Sequence, residues 1–165
     1  MALRNIREMG DPVLEKKAKP VKEVNEKTRI LIGDMLDTMY EACGVGLAAP
    51  QIGILKRIVV IDVSPEGDSP VILITPEVIE TSGEQTGYEG CLSVPGKSGI
   101  VTRPNYAKVK AWNENMEEIL VEGEGLMARA LCHETDHLDG HLYVEKVEGD
   151  LIDNSQLQDA EDEEE

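Results

Sequence analysis

The stretch His133-Glu134-Thr135-Asp136-His137 sets two imidazoles four residues apart, with a carboxylate beside the first. On a helix, residues four apart lie one turn above each other. Both rings can then face one metal ion, with Glu134 placed to handle a proton from bound water. That is a layout for metal-assisted hydrolysis. Three fixed positions recur by chance in about one of fifty chains of this length, and a chance match in a correctly phased helix is rarer. The other reading, two core histidines, would bury two imidazoles and an acid with no ion to compensate them.

A catalytic metal takes three protein ligands and keeps a position open for water, so a third donor is needed. Extending the motif through Gly140 follows the metzincin pattern as far as its third histidine, where this chain has Tyr143. His141 follows a glycine that interrupts the helix and reads as a surface residue, while Glu148 and Asp150 open an acidic tail. A better candidate is Cys91, in the run Gly87-Tyr88-Glu89-Gly90-Cys91-Leu92-Ser93-Val94-Pro95-Gly96. Glycines and a proline hold the backbone around that thiol in a defined conformation, which suits a ligand or a nucleophile. Thiolate is also a good ligand for a late first-row metal. Cys132 adjoins His133 and points about 100° around the helix from it; Cys132 and Cys43 are expected in the core. A third stretch, Gly44-Val45-Gly46-Leu47-Ala48-Ala49-Pro50-Gln51-Ile52-Gly53, permits close backbone approach to a ligand and carries one long amide, Gln51, able to orient a carbonyl or a water. By itself it reads better as an apolar loop between helix and strand.

These residues need elements to position them. Ile30, Leu31, Met35, Leu36, Met39, Tyr40 and Cys43 recur at helical spacing, which predicts an amphipathic helix over 25–43 with Gly44 as its stop. Residues 57–63 and 71–74 are β-branched strands separated by a turn-rich loop, and 106–112 with 118–121 form a hairpin. From residue 124 onward, Leu126, Ala130, His133 and His137 share one helical stripe, so a second helix carries the histidines on a largely apolar face. Helix, strands, then helix predicts an α+β fold with antiparallel sheet.

The chain has 165 residues, enough for one domain. It has no Phe, one Trp and four Tyr, so its core must be aliphatic. Of the formal charge of −17, −9 belongs to residues 148–165, which contain no Lys or Arg. That acidic tail is expected to lie outside the folded body of residues 1–147, with residues 159–165 disordered. An acidic body and tail exclude direct nucleic-acid binding, which depends on Lys and Arg neutralising phosphates. No segment has signal-peptide character or the length to cross a bilayer, and three cysteines are an odd number, so a cytoplasmic protein with free thiols or metal-ligating cysteines is expected. On residues alone, four readings stay open: a metal-dependent amide hydrolase using Cys91, a zinc endoprotease with another third ligand, a cysteine amidase pairing Cys91 with His133 or His137, and a metal-stapled scaffold.

Taken together and in order, GVGLAAPQIG (44–53), EGCLSVPG (89–96) and HETDHLDG (133–140) resemble the peptide deformylase family over residues 1–147. Many members have Gln where this chain has Cys132, and others share the Cys. The resemblance implies one divalent metal on Cys91, His133 and His137, with water as fourth ligand and Glu134 as general base and then acid. Fe(II) is the ion it implies in the cell, with Zn, Ni or Co as substitutes. It implies that the metal-bound water attacks the formyl carbon and removes the N-formyl group from the N-terminal formylmethionine of new polypeptides as formate. Gln51 and the backbone N–H of Leu92 would stabilise the developing oxyanion. The fold it implies is a central metal-binding helix wrapped by antiparallel sheets. A substrate peptide is expected to pair with the glycine-rich edges at Gly44, Val45, Gly46 and Gly90, its methionine side chain against Leu126, Ala130 and Ile100. A monomer is expected, transiently near the ribosome and independent of membranes.

Overall fold

The computed structural model describes residues 2–155. After an N-terminal segment with a 3-10 turn at Pro12–Glu15, α1 spans Glu26–Glu41. Asn25 caps it by accepting from the Thr28 amide at 2.9 Å, satisfying one of the amides that a helix start leaves unpaired. Its exit differs from expectation. Cys43, not Gly44, takes the left-handed position at φ 58°, and the Gly44 amide reaches back to the Met39 carbonyl. Cys43 is consequently exposed and does not belong to the core, whereas Cys132 is buried.

The strands are β1 (Gly46–Ala48), β2 (Ile58–Ile61), β3 (Val71–Ser82), β4 (Gln85–Cys91), β5 (Val94–Arg103), β6 (Tyr106–Trp112), β7 (Glu118–Glu124) and β8 (Glu148–Asp153); α2 spans Leu126–Leu138 between β7 and β8. Five strands form one sheet in the order β1-β2-β3-β6-β7, three form a second in the order β4-β5-β8, and every pairing is antiparallel.

The five-stranded sheet is covered on both faces. Ile58 and Val60 of β2 pack with Leu31, Met35 and Met39 of α1, while Val59 and Ile61 pack with Ala128, Leu131 and Leu138 of α2. Burial on both sides accounts for the uninterrupted apolar run of this strand, which alternation would not predict. The core is aliphatic apart from Tyr143, which joins Val94 and Val101 in a third, smaller cluster under the second sheet. No helix among the described residues is long and apolar enough to cross a membrane.

Three elements exceed their sequence expectations. Strand β3 runs well past residue 74, because its second half pairs with β6 through bulges between Ile74 and Glu77 and between Val78 and Glu80. The motif around Cys91 is a hairpin, with Cys91 opposite Val94 and Leu92-Ser93 as its turn. The boundary at residue 147 is corrected: Glu148–Asp153 pair with β5 as strand β8. Acidic side chains do not prevent this, since an exposed strand edge recruits backbone and Leu151 packs with the third cluster. Gly99 makes the approach possible, as a Cβ there would stand 2.6 Å from Val147 Cγ1. The part of the expected tail at residues 159–165 lies outside the described residues.

The end of α2 is locked. Gly140, at φ +84°, lets the His141 amide close on the Asp136 carbonyl, and Arg57 bonds the Leu138 carbonyl at 3.0 Å. A Cβ at Gly140 would lie 2.6 Å from the Glu15 carbonyl oxygen. Gly140→Ala is expected to cost about 1–3 kcal/mol of stability, from strain and backbone clash together; an unchanged urea midpoint would refute that. Buried Asp62 ties the loop after β2, accepting from Tyr40 Oη at 2.6 Å and from the amides of Ser64 and Ser69. Burial raises its carboxyl, but the bonds from Ser64 and Tyr40 outweigh this and bring it down to about 2 from an ordinary 3.8. The stabilisation is therefore complete above the ordinary value and lost as pH falls through about 2. Acid unfolding of Asp62→Asn should show a shallower pH dependence between those limits than the parent.

Candidate active site

Helix α2 turns His133, Glu134 and His137 inward, and all three are buried. The His133 and His137 Nε2 atoms are 3.2 Å apart, and Cys91 Sγ lies 3.3 Å from His137 Nε2. The ligand atoms of Cys91, His133 and His137 all lie within 4.8 Å of one another, as donors sharing one ion at ~2.0–2.3 Å would. Burial opposes a charge on His133, yet hydrogen bonds to Cys91 and Glu89 raise it to about 10, while burial and then the neighbouring His133 push His137 well below its usual value. A thiolate and two imidazoles form a coherent donor set for a late first-row divalent ion, so the residues fit a metal. Tyr143 and His141 do not join them: Tyr143 is packed in the third cluster, and His141 bonds Glu145 on the surface.

Glu134 stands beside the donors, its Oε1 3.9 Å from His133 Nε2, and its Oε2 is buried with no hydrogen-bond partner among the described residues. Burial raises this carboxyl to about 7, near the value at which one group can both take and return a proton at neutral pH.

The Cys91 hairpin and the Gln51 turn are tied together. Gln51, buried in the 3-10 turn Ala49–Ile52, accepts from the Ala48 amide at 3.0 Å and aims Nε2 at Ser93 Oγ (3.1 Å) and Cys91 Sγ (3.5 Å). The Ser93 amide also donates to Cys91 Sγ, at 3.4 Å. Behind both loops runs the N-terminal segment, with the Arg7 amide on the Gln51 carbonyl and the Met9 amide on that of Ser93. Gly44 and Gly46 allow close approach first to this chain's own side chains: a Cβ at Gly44 would meet Leu92 Cδ1 at 2.7 Å, and one at Gly46 would meet Glu134 Oε1 at 2.7 Å.

Sequence reasoning missed a buried carboxylate behind the cluster. Glu89 of β4 accepts from His133 Nδ1 at 2.8 Å, from Arg103 Nε and Nη2 at 3.1 and 2.7 Å, and from Arg129 Nη1 at 2.8 Å. Arg103 also holds Asp136 at 2.7 Å. Burial raises Glu89, but His133 and then Arg103 overcome it and hold the carboxyl at about 2. The usable signals were Glu89, two residues before Cys91, and Arg129, one helical turn before His133.

These groups open onto a cleft of about 450 Å³, lined by Val45, Gly46, Tyr88, Gly90, Leu126 and Ala130 among others. Gly44, Gln51 and Leu92 also border it. Ile100 is not a wall of this cleft; it pairs with Tyr88 and Glu148 inside the three-stranded sheet.

Fold and site together define an α+β protein with a cysteine–histidine cluster beside a buried carboxyl group, an arrangement suited to hydrolysis. The family model described as polypeptide deformylase matches residues 3–151, so the chain belongs to that family of hydrolytic enzymes. It is 64% identical to a peptide deformylase of Lachnoclostridium phytofermentans over 99% of this chain and 100% of the relative. It is 67% identical to one of Agathobacter rectalis over 93% of this chain and 95% of the relative. The crystal structure of a peptide deformylase from Legionella pneumophila superposes with a TM-score of 0.86 at 44% identity, covering 89% of this chain and 87% of that one. That of the Thermotoga maritima protein gives 0.85 at 42%, covering 90% and 100%.

Glu89 fixes the tautomer and direction of a metal-facing imidazole, so Glu89→Gln should weaken metal retention 10- to 100-fold in a chelator competition. Retention equal to the parent's would show that the negative charge of Glu89 is not needed to hold His133 in place.

Proposed function

We propose that the chain removes the N-formyl group from the formylmethionine that begins newly synthesised polypeptides, using one divalent metal held by Cys91, His133 and His137. The observation that carries this is the convergence of those three donors within 4.8 Å beside a buried carboxyl group whose Oε2 has no hydrogen-bond partner among the described residues, in a chain of the deformylase family. A bound ion would lower the pKa of its water toward ~7 and polarise the formyl carbonyl. Fe(II) is the proposed ion in the cell, on the family resemblance, and the sulfur and nitrogen donors also admit Zn, Ni and Co.

Water adds to the formyl carbon, the C–N bond breaks, and formate leaves a free α-amino group. Glu134 takes the proton of the attacking water and delivers it to the departing nitrogen, a cycle that a carboxyl near 7 can complete. Gln51 Nε2 and the Leu92 backbone N–H donate to the carbonyl oxygen as its charge grows, each contributing ~3 kcal/mol. The substrate backbone runs along Gly44, Val45 and Gly46 on one side. On the other it meets Gly90 of β4, the outer strand of its sheet, so main chain is recognised and downstream sequence can vary. The methionine side chain lies against Leu126 and Ala130. We place the enzyme in the cytoplasm as a monomer acting on nascent chains, without direct nucleic-acid contact, in keeping with its charge of −17.

Formate release from formyl-Met-Ala-Ser by metal-loaded protein tests this. Chelation should abolish release, and Glu134→Ala should lower kcat/KM at least ~100-fold while retaining metal. Activity that survives chelation would instead make Cys91 a nucleophile, and no release from fully loaded protein would exclude the deformylase reading.

A further inference from the structure

Along α2, the wall of the cleft runs from His133 back through Ala130 and Arg129 to Leu126. Ala130 is buried and Leu126 is 51% exposed at the rim, so beyond His133 this wall is apolar except at one position. There a guanidinium is set into it. Arg129 is 9% exposed and does not extend to solvent as a surface arginine would. Its Nη1 donates to Glu89 Oε1 at 2.8 Å, and both Nη1 and Nη2 donate to the Val101 carbonyl at 3.3 Å. Gly87, opposite Val101 in the hairpin, borders the head group: a Cβ there would be 3.7 Å from Nη2, an ordinary contact.

A guanidinium carries five N–H donors. Those three bonds leave the Nε hydrogen and one Nη2 hydrogen without a partner among the described residues. A fixed cation with spare donors beside an apolar wall distinguishes side chains by what stands at their tip. A thioether sulfur is a weak acceptor and a methylene is none, whereas a sulfoxide oxygen is strong and neutral, on a chain of methionine's length.

We propose that Arg129 is a specificity-determining residue that lets this cleft accept a formylated residue with a hydrogen-bond acceptor at its tip, methionine sulfoxide foremost, alongside methionine. This rests on the deformylase reading, in which the cleft receives the first side chain of the substrate. A neutral acceptor suits the site better than a carboxylate, because Glu89 already answers the charge of Arg129. Deformylation of a chain whose first methionine has been oxidised would then proceed without prior reduction of the sulfoxide.

The test compares kcat/KM for formate release from formyl-Met(O)-Ala-Ser and formyl-norleucine-Ala-Ser, using metal-loaded parent, Arg129→Leu and Arg129→Gln. Each preparation supplies its own ratio of the two substrates, so partial loss of metal or folded protein cancels. In the parent the sulfoxide peptide should be turned over within about tenfold of the norleucine peptide. Arg129→Leu should lower that ratio about tenfold or more, the usual effect of losing one hydrogen bond to a charged group, with Arg129→Gln between them. An equal ratio in parent and Arg129→Leu overturns the proposal. So does a parent ratio below about one hundredth, which decides the matter even if neither variant folds. Absence of norleucine turnover in loaded parent protein removes instead the deformylase reading beneath it.

Discussion

The buried carboxylate of Glu89 joins the two halves of this molecule. Its Oε1 receives Arg103 Nε and Arg129 Nη1, and its Oε2 receives Arg103 Nη2 and His133 Nδ1. A carboxylate offers about four lone-pair sites, and all four are used here. The donors come from β5 and from two successive turns of α2, so one residue of β4 sets the distance between the Cys91 hairpin and the motif helix. Removing any partner would leave charge uncompensated in the interior, which makes such a network costly to break even where its net contribution to stability is modest.

With that spacing set, the remaining constraints are mostly steric. The five-stranded sheet lies between α1 and α2, and β2 supplies apolar side chains to both. β1 then brings Gly46 so near Glu134 that only a hydrogen fits between them, and Gly44 does the same for Leu92. These glycines seat a carboxylate and a turn residue against the cleft, giving rigid support to groups that must not rotate. The N-terminal segment adds a second layer, bonding the carbonyls of Gln51 and Ser93 and so holding two loops from behind.

Charge is divided unevenly between interior and surface. The chain is strongly acidic overall, yet the interior around the cluster holds two arginines against Glu89 and Asp136. Close pairs in a low-dielectric interior dominate local potentials, while the surface excess is screened by salt within about 10 Å at 0.1 M. The electrostatics of the cleft therefore follow these few buried pairs rather than the net charge.

By itself the sequence determined what local periodicity and motif spacing encode. The four-residue interval of His133 and His137 places both rings on one helical face, the β-branched run 57–63 reads as a strand, and the apolar spacing of α1 reads as a helix, although Ile30 and Tyr40 of that pattern are exposed. Cys91 stood out because its flanking glycines had no other evident purpose. Tertiary structure alone decided the rest. Glu89 and Arg103 look like ordinary surface charges until strand register brings them together, and Arg129 looks like the polar face of a helix until the hairpin closes over it. Strand β8 reads as acidic tail because its place depends on an open edge of β5 and on the missing Cβ of Gly99. Cys43 reads as core because helical phase continues through it, although the chain turns left-handed there. For Glu89, Arg129 and β8 the deciding partner is distant in sequence, and no local pattern can specify which face of a residue it will cover.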